Sequence, residues 1–213
     1  MQNTTHQDGL DCDGLTLWRG DRCLFSELSF QIGAGAAALI RGPNGSGKTS
    51  LLRVVCGLSP PEEGAVHWMG KGIQQQRQAY AKALAYNGHT DGLNAELTPL
   101  ENLAFFCALR GSEPASSVAN LSGLGLDACA GLPVRALSAG QRRRAGLARV
   151  LAADACLWVL DEPFTNLDGE GRHYLTAQLL THLGNGGMAV IASHQDLDVP
   201  AERLLTITLG GAN

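Results

Sequence analysis

The sequence predicts an α/β fold, with a mainly parallel core sheet covered on both faces, an N-terminal antiparallel β lobe and an inserted helical lobe. Three observations carry that prediction. The runs Ala36–Ile40, Leu157–Leu160 and Met188–Ala192 are apolar throughout rather than alternating, as strands buried on both faces are. A helical pattern from about Glu170 to Leu183 separates the last two, and strand alternating with helix requires parallel crossovers. From about Asp91 to Ala155 the pattern is helical but broken by Gly and Pro clusters, which marks a separate lobe.

Taken in order, Leu15–Trp18 and Leu28–Ile32 read as short strands, the second alternating with period two. Gly20-Asp21 and Gly33-Ala34-Gly35 are turn signals around them. The glycine-rich stretch Gly42–Gly47 leads into a helix predicted over Lys48–Cys56, and Pro60–Gly64 turns the chain into a strand at Ala65–Trp68. Ala83–Tyr86 is a further strand, and helices are predicted over Glu101–Arg110, Ser116–Leu124 and Gln141–Ala153.

The 213 residues suit one domain with an inserted lobe and leave no room for a second catalytic domain. With 45% hydrophobic and 17% charged residues the composition is globular. A net charge of −4 gives no general attraction to nucleic acid or to an anionic bilayer, so membrane attachment is expected through protein contacts. Met1–Asp13 lacks a basic and then apolar leader, and no apolar run approaches the ~20 residues of a membrane span, so a cytoplasmic location is expected. Cys12, Cys23, Cys56, Cys107, Cys129 and Cys156 form no CxxC pair, and read as reduced, mostly buried thiols. C-x-x-C-H is absent, and His6, His67, His173 and His182 suggest no haem site in this chain.

The chemistry concentrates in a few segments. Gly42-Pro43-Asn44-Gly45-Ser46-Gly47-Lys48-Thr49, followed by Ser50, matches G-x-x-x-x-G-K-[ST] between a strand and a helix, the phosphate-binding context. Glycines let backbone N–H groups close around phosphate oxygens, and the helix N-terminus adds positive potential. Lys48 would supply charge to the β- and γ-phosphates, and Thr49 a hydroxyl to Mg²⁺. The strand Leu157–Leu160 delivers Asp161 and Glu162 at its C-terminal end, where open α/β sheets bind ligands. Asp161 is placed to hold Mg²⁺ through water, and Glu162 to polarise an attacking water.

Leu137-Ser138-Ala139-Gly140-Gln141, shortly before that strand, closely resembles the LSGGQ signature of ABC ATPases. The resemblance implies a P-loop NTPase (ABC ATPase) fold over one domain at about 10–209, with a helical signature lobe at about 91–155. It implies ATP hydrolysis with Mg²⁺, and two copies sandwiching ATP between the phosphate loop of one and Ser138, Gly140 and Gln141 of the other. Within their own copy these signature residues have no evident role. Ala139 replaces the family's usual first glycine. Trp18 falls where the family stacks an aromatic on adenine, with a core tryptophan as the alternative. Thr165-Asn166-Leu167-Asp168 resembles the D-loop, and His194 the switch histidine that contacts the γ-phosphate. His89 stands where a glutamine is usual; it is either a Mg²⁺- and partner-sensing linker or a simple loop histidine. Arg142-Arg143-Arg144 reads as a solvated face with ion pairs, and no nucleic-acid partner is expected.

A narrower resemblance is to the CcmA-type ATPases of the haem exporter used in cytochrome c maturation. It rests on the small size, Tyr86-Asn87-Gly88-His89, the stretch Glu96–Leu103 and the Leu-Ser-Ala-Gly-Gln-Arg-Arg-Arg form of the signature. It implies multi-spanning CcmB/CcmC-like partners, an indirect link to a haem chaperone, and work at the cytoplasmic face of the inner membrane. An ATPase subunit of another ABC importer or exporter shares the same core motifs. A soluble ABC ATPase is disfavoured because the chain has neither a second cassette nor a long coiled-coil insertion.

Overall fold

The computed structural model describes residues 9–111 and 117–210; His6 and the expected helix start at Ser116 lie outside the described residues. β1 (Gly9–Arg19) and β2 (Arg22–Gly33) form a hairpin across Gly20-Asp21, where Gly20 takes the positive φ of 61° that the turn needs. They run longer than the sequence pattern suggests, because register shifts between Cys12 and Trp18 keep the two strands paired through positions that break the alternation. β4 (Glu63–Trp68) and β5 (Lys71–Gly72) complete an antiparallel sheet of order β2-β1-β4-β5.

The second sheet has five parallel strands in the order β6-β7-β8-β3-β9, comprising β3 (Ala37–Arg41), β6 (Leu84–Asn87), β7 (Leu157–Asp161), β8 (Met188–Ala192) and β9 (Leu204–Thr208). Its alternate residues divide between two cores. Leu39, Trp158, Leu160 and Ile191 face the core that includes the helical lobe, and Ile40, Leu157, Val159 and Val190 face the core shared with the antiparallel sheet. Every residue of β7 and β8 is buried, which is why both read as unbroken apolar runs.

α1 (Lys48–Val55) follows β3, and α6 (Gly169–Gly184) connects β7 to β8. α3 (Pro99–Arg110), α4 (Ser117–Gly123) and α5 (Ala139–Leu151) lie between β6 and β7 in the chain. α3 begins in a capping box, in which Thr98 Oγ1 accepts from the Glu101 N–H while Glu101 accepts from the Thr98 N–H, with Pro99 at the first helical position. α2 (Arg77–Ala83), β5 and β9 have no clear pattern in the sequence; β9 is half-exposed and takes shape through its pairing with β3. None of the six cysteines, all among the described residues, is in a disulfide; Cys23 and Cys156 are exposed and the other four buried.

Candidate active site

Because the five strands are parallel, their C-terminal ends share one edge, and the order β7-β8-β3 places three functional segments side by side. Gly42–Thr49 leaves β3, Ser193-His194 leaves β8, and Asp161-Glu162 ends β7. The loop after β3 needs its glycines. Gly42 has φ 148°, and a Cβ there would lie 2.5 Å from the Leu209 carbonyl oxygen. Gly47, the N-cap of α1, has φ 99° and no side-chain capping bond, so the first-turn N–H groups of α1 face the loop without a capping side chain.

Lys48 is buried, and its ammonium donates to the Gly42 carbonyl at 2.8 Å and the Pro43 carbonyl at 3.3 Å. His194 Nε2 lies 3.1 Å from both Lys48 Nζ and Asn44 Oδ1. One ring nitrogen cannot serve both: Nε2 accepts from Lys48 in one tautomer and donates to Asn44 in the other. Thr49 Oγ1 donates to Asp161 Oδ2 at 2.7 Å, joining the first turn of α1 to the end of β7. Ser46 is buried beside Gly42, while Asn44, Gly45, Gly47, Lys48, Thr49 and Ser50 line a cleft of about 430 Å³ together with Asp161 and Glu162.

Glu162 departs from ordinary backbone geometry, with φ 49°. Its N–H donates to the Ala192 carbonyl at 2.8 Å, and its side-chain Oε1 lies 3.5 Å from His194 Nε2. That buried oxygen has no hydrogen-bond partner, which leaves an unused acceptor beside His194. An uncapped helix N-terminus, a lysine and a carboxylate with a free acceptor can bind a polyanion and accept a proton beside it.

His89, exposed after β6, lines this cleft and also a neighbouring cavity of about 250 Å³ with Asp91, Ala139, Arg142, Arg143 and Asn166. In β6, which precedes it, burial pushes the Tyr86 phenol up to about 12. Arg142 pairs with Asp91 at 3.7 Å, and Arg149 donates to the Gly92 carbonyl at 3.1 Å, so α5 anchors the loop that carries His89. Arg143 is not part of a solvated face. It donates to the Asp161 and Glu162 carbonyls.

Ser138, Gly140 and Gln141 do not line the cleft; they start α5. Contrary to expectation Ser138 and Gln141 have a role within their own copy. Ser138 Oγ accepts from the Gln141 N–H at 3.2 Å and Gln141 Oε1 accepts from the Ser138 N–H at 2.8 Å, a capping box. Ala139 is accommodated as the first residue of that helix. Asn166, left-handed at φ 63°, has its Cβ 3.8 Å from where a Cβ on Gly140 would lie, and Asp168 caps α6 through the Gly171 N–H at 2.8 Å.

Trp18 is not a core residue: it is 48% exposed near the β1-β2 turn and outside the residues lining the cleft. Sequence reading passed over its neighbours. Arg19 and Arg22 line the cleft, and they are paired directly across the hairpin. Two like charges facing each other across a turn repel unless an anion lies between them, and that juxtaposition is the signal available in the sequence.

The ABC transporter family model matches residues 25–165. The cytochrome c biogenesis ATP-binding export protein CcmA of Methylococcus capsulatus is 48% identical over 192 residues, covering 89% of this chain and 93% of that protein. The protein of the same name from Yersinia pestis is 42% identical over 201 residues, covering 94% and 92%. Among solved structures, an ATP-binding subunit of an ABC transporter superposes with TM-score 0.81 at 22% identity, over 94% of this chain and 85% of that one. A dimeric ATP-binding cassette in a post-hydrolysis state, bound to ADP and phosphate, superposes with TM-score 0.79 at 20% identity, over 95% and 97%. With a nearly full-length match to these relatives and a parallel sheet whose strand ends carry the phosphate loop, this chain belongs to the ABC transporter ATPases, in the group of the cytochrome c biogenesis ATP-binding export proteins.

Proposed function

We propose that this chain is the ATP-hydrolysing subunit of the haem exporter of cytochrome c maturation. It acts at the cytoplasmic face of the inner membrane, as two copies bound to multi-spanning CcmB/CcmC-like subunits, and energises release of a haem-loaded chaperone. The observation that carries the chemistry is the convergence of Lys48, Thr49, Asp161, Glu162 and His194 from three adjacent strand ends around the uncapped start of α1.

The phosphates of ATP lie on the N–H groups of Gly45–Ser50, and Lys48 exchanges its loop carbonyls for phosphate oxygens. Thr49 Oγ1 and Asp161 Oδ2, 2.7 Å apart, form an all-oxygen donor set that suits Mg²⁺. Bound there, the ion would neutralise charge on the β- and γ-phosphates. Glu162 Oε1 accepts a proton from water as the water oxygen attacks the γ-phosphorus, and the bond to the bridging oxygen of the ADP leaving group breaks. His194 Nε2 donates to a γ-phosphate oxygen. The Ser138–Gln141 segment of a second copy closes over the same γ-phosphate through its helix N-terminus, and Trp18, exposed next to the cleft-lining Arg19, stacks on adenine.

The test is to affinity-purify the Glu162→Gln variant with ATP from detergent-solubilised membranes, identify co-purifying proteins by mass spectrometry and measure haem by absorbance. Recovery of multi-spanning subunits with cytochrome c maturation proteins or haem is the expected result. A different permease would keep the ABC mechanism and replace the pathway. A soluble dimer without a membrane subunit would overturn the membrane assignment.

A further inference from the structure

Strand β6 stops pairing with β7 at Asn87 and Leu160, one residue before the carboxylates. Beyond that point β7 still has β8 on one side, through the Ala192 carbonyl that receives the Glu162 N–H, but among the described residues no strand on the other. The Arg143 guanidinium takes the place of the missing strand. Its Nη2 donates to the Asp161 carbonyl at 2.7 Å and the Glu162 carbonyl at 3.1 Å. Glu162 is thereby gripped from both sides, at its N–H by β8 and at its C=O by Arg143, while its backbone holds the left-handed φ of 49°. That conformation turns the side chain so that Oε1 comes within 3.5 Å of His194. Arg143 also sits on α5 two residues beyond Gln141, which closes the capping box, so whatever moves that helix N-terminus moves the guanidinium.

We propose that Arg143 is a positioning residue for hydrolysis: it holds Glu162 in the conformation that aims its carboxylate at the cleft, and transmits the placement of the α5 N-terminus to that carboxylate. This rests on the reading of Glu162 as the group that accepts the proton of water. Arg142 and Arg149, which bind the loop after β6 instead, do not share the role.

In the membrane complex, Arg143→Ala lowers kcat for ATP about 10-fold or more and leaves KM within about twofold, because the phosphate loop is untouched. Arg143→Lys, which keeps a cationic donor, recovers part of the rate. In a Glu162→Gln background, Arg143→Ala changes the residual rate by less than about twofold, since two residues acting as a unit are not additive. Unchanged kcat per folded molecule with a lowered melting temperature would make Arg143 purely structural and overturn the proposal. So would a loss of rate that persists undiminished in the Glu162→Gln background. Wild-type hydrolysis by Glu162→Gln alone would instead remove the role of Glu162, a separate result.

Discussion

Two helix N-termini in this chain are treated in opposite ways. α1 starts at a left-handed glycine with no capping side chain, whereas α5 starts in a reciprocal capping box made by Ser138 and Gln141. Each helix begins with N–H groups that have no partner within the helix. At α1 these groups face a cleft with Lys48 beside them, ready for a polyanion supplied in solution. At α5 the side chains absorb the N-cap and third-position donors, leaving those of Ala139 and Gly140 outside the cleft. The open terminus keeps its first-turn donors free of side-chain caps, whereas the other already satisfies two of its donors within the chain.

The largest expected effect separates chemistry from binding. Glu162→Gln reduces kcat by about 100- to 10,000-fold while ATP still binds, read by phosphate release and equilibrium binding. Lys48→Ala acts on the open terminus itself, weakening ATP binding by about 10- to 100-fold in calorimetric titration. Unchanged affinity would take Lys48 out of the site. Ser138→Ala tests the closed terminus. It costs about 1 kcal/mol of cap stability, a melting shift of about 2–4 °C, yet leaves ATP affinity of a single copy unchanged and weakens ATP-dependent pairing of the Glu162→Gln variant in gel filtration. Loss of single-copy affinity would show that the two termini are not independent.

The smallest effect lies at the opposite end of the sheet. His182 stacks on Trp158 at 3.9 Å between ring centroids, and its Nε2 contacts the Met188 carbonyl at 3.0 Å. Burial holds the imidazole below its ordinary value of 6.5, against a smaller upward pull from that carbonyl. The neutral ring is therefore favoured in the fold. Its contribution to stability is complete above about pH 6.5 and is lost as pH falls from there through the lower folded value. His182→Gln should flatten the thermal stability in that interval without altering ATP affinity at pH 7.5 to 8; a pH dependence identical to wild type would refute the assignment.

Elements governed by local rules were legible. The Gly42–Thr49 loop and the buried runs of β7 and β8 each state their conformation within a few neighbouring residues. Elements that depend on a distant partner were not. β9 shows no clear alternation because its shape comes from β3, and the register shifts of β1 conceal its length.

The sequence by itself determined that a phosphate-type loop precedes a helix and that two carboxylates end a buried strand, since backbone sterics and apolar patterning act over a few residues. Only the tertiary structure decided what meets what. The strand order brings Thr49 to Asp161 across 112 residues, leaves the β6 side of β7 open where Arg143 reaches it, and exposes Trp18 while turning Arg19 and Arg22 into the cleft. The physical reason is that apolar burial constrains which strands are interior but is non-directional, so the neighbours of a side chain are selected only when the whole sheet packs.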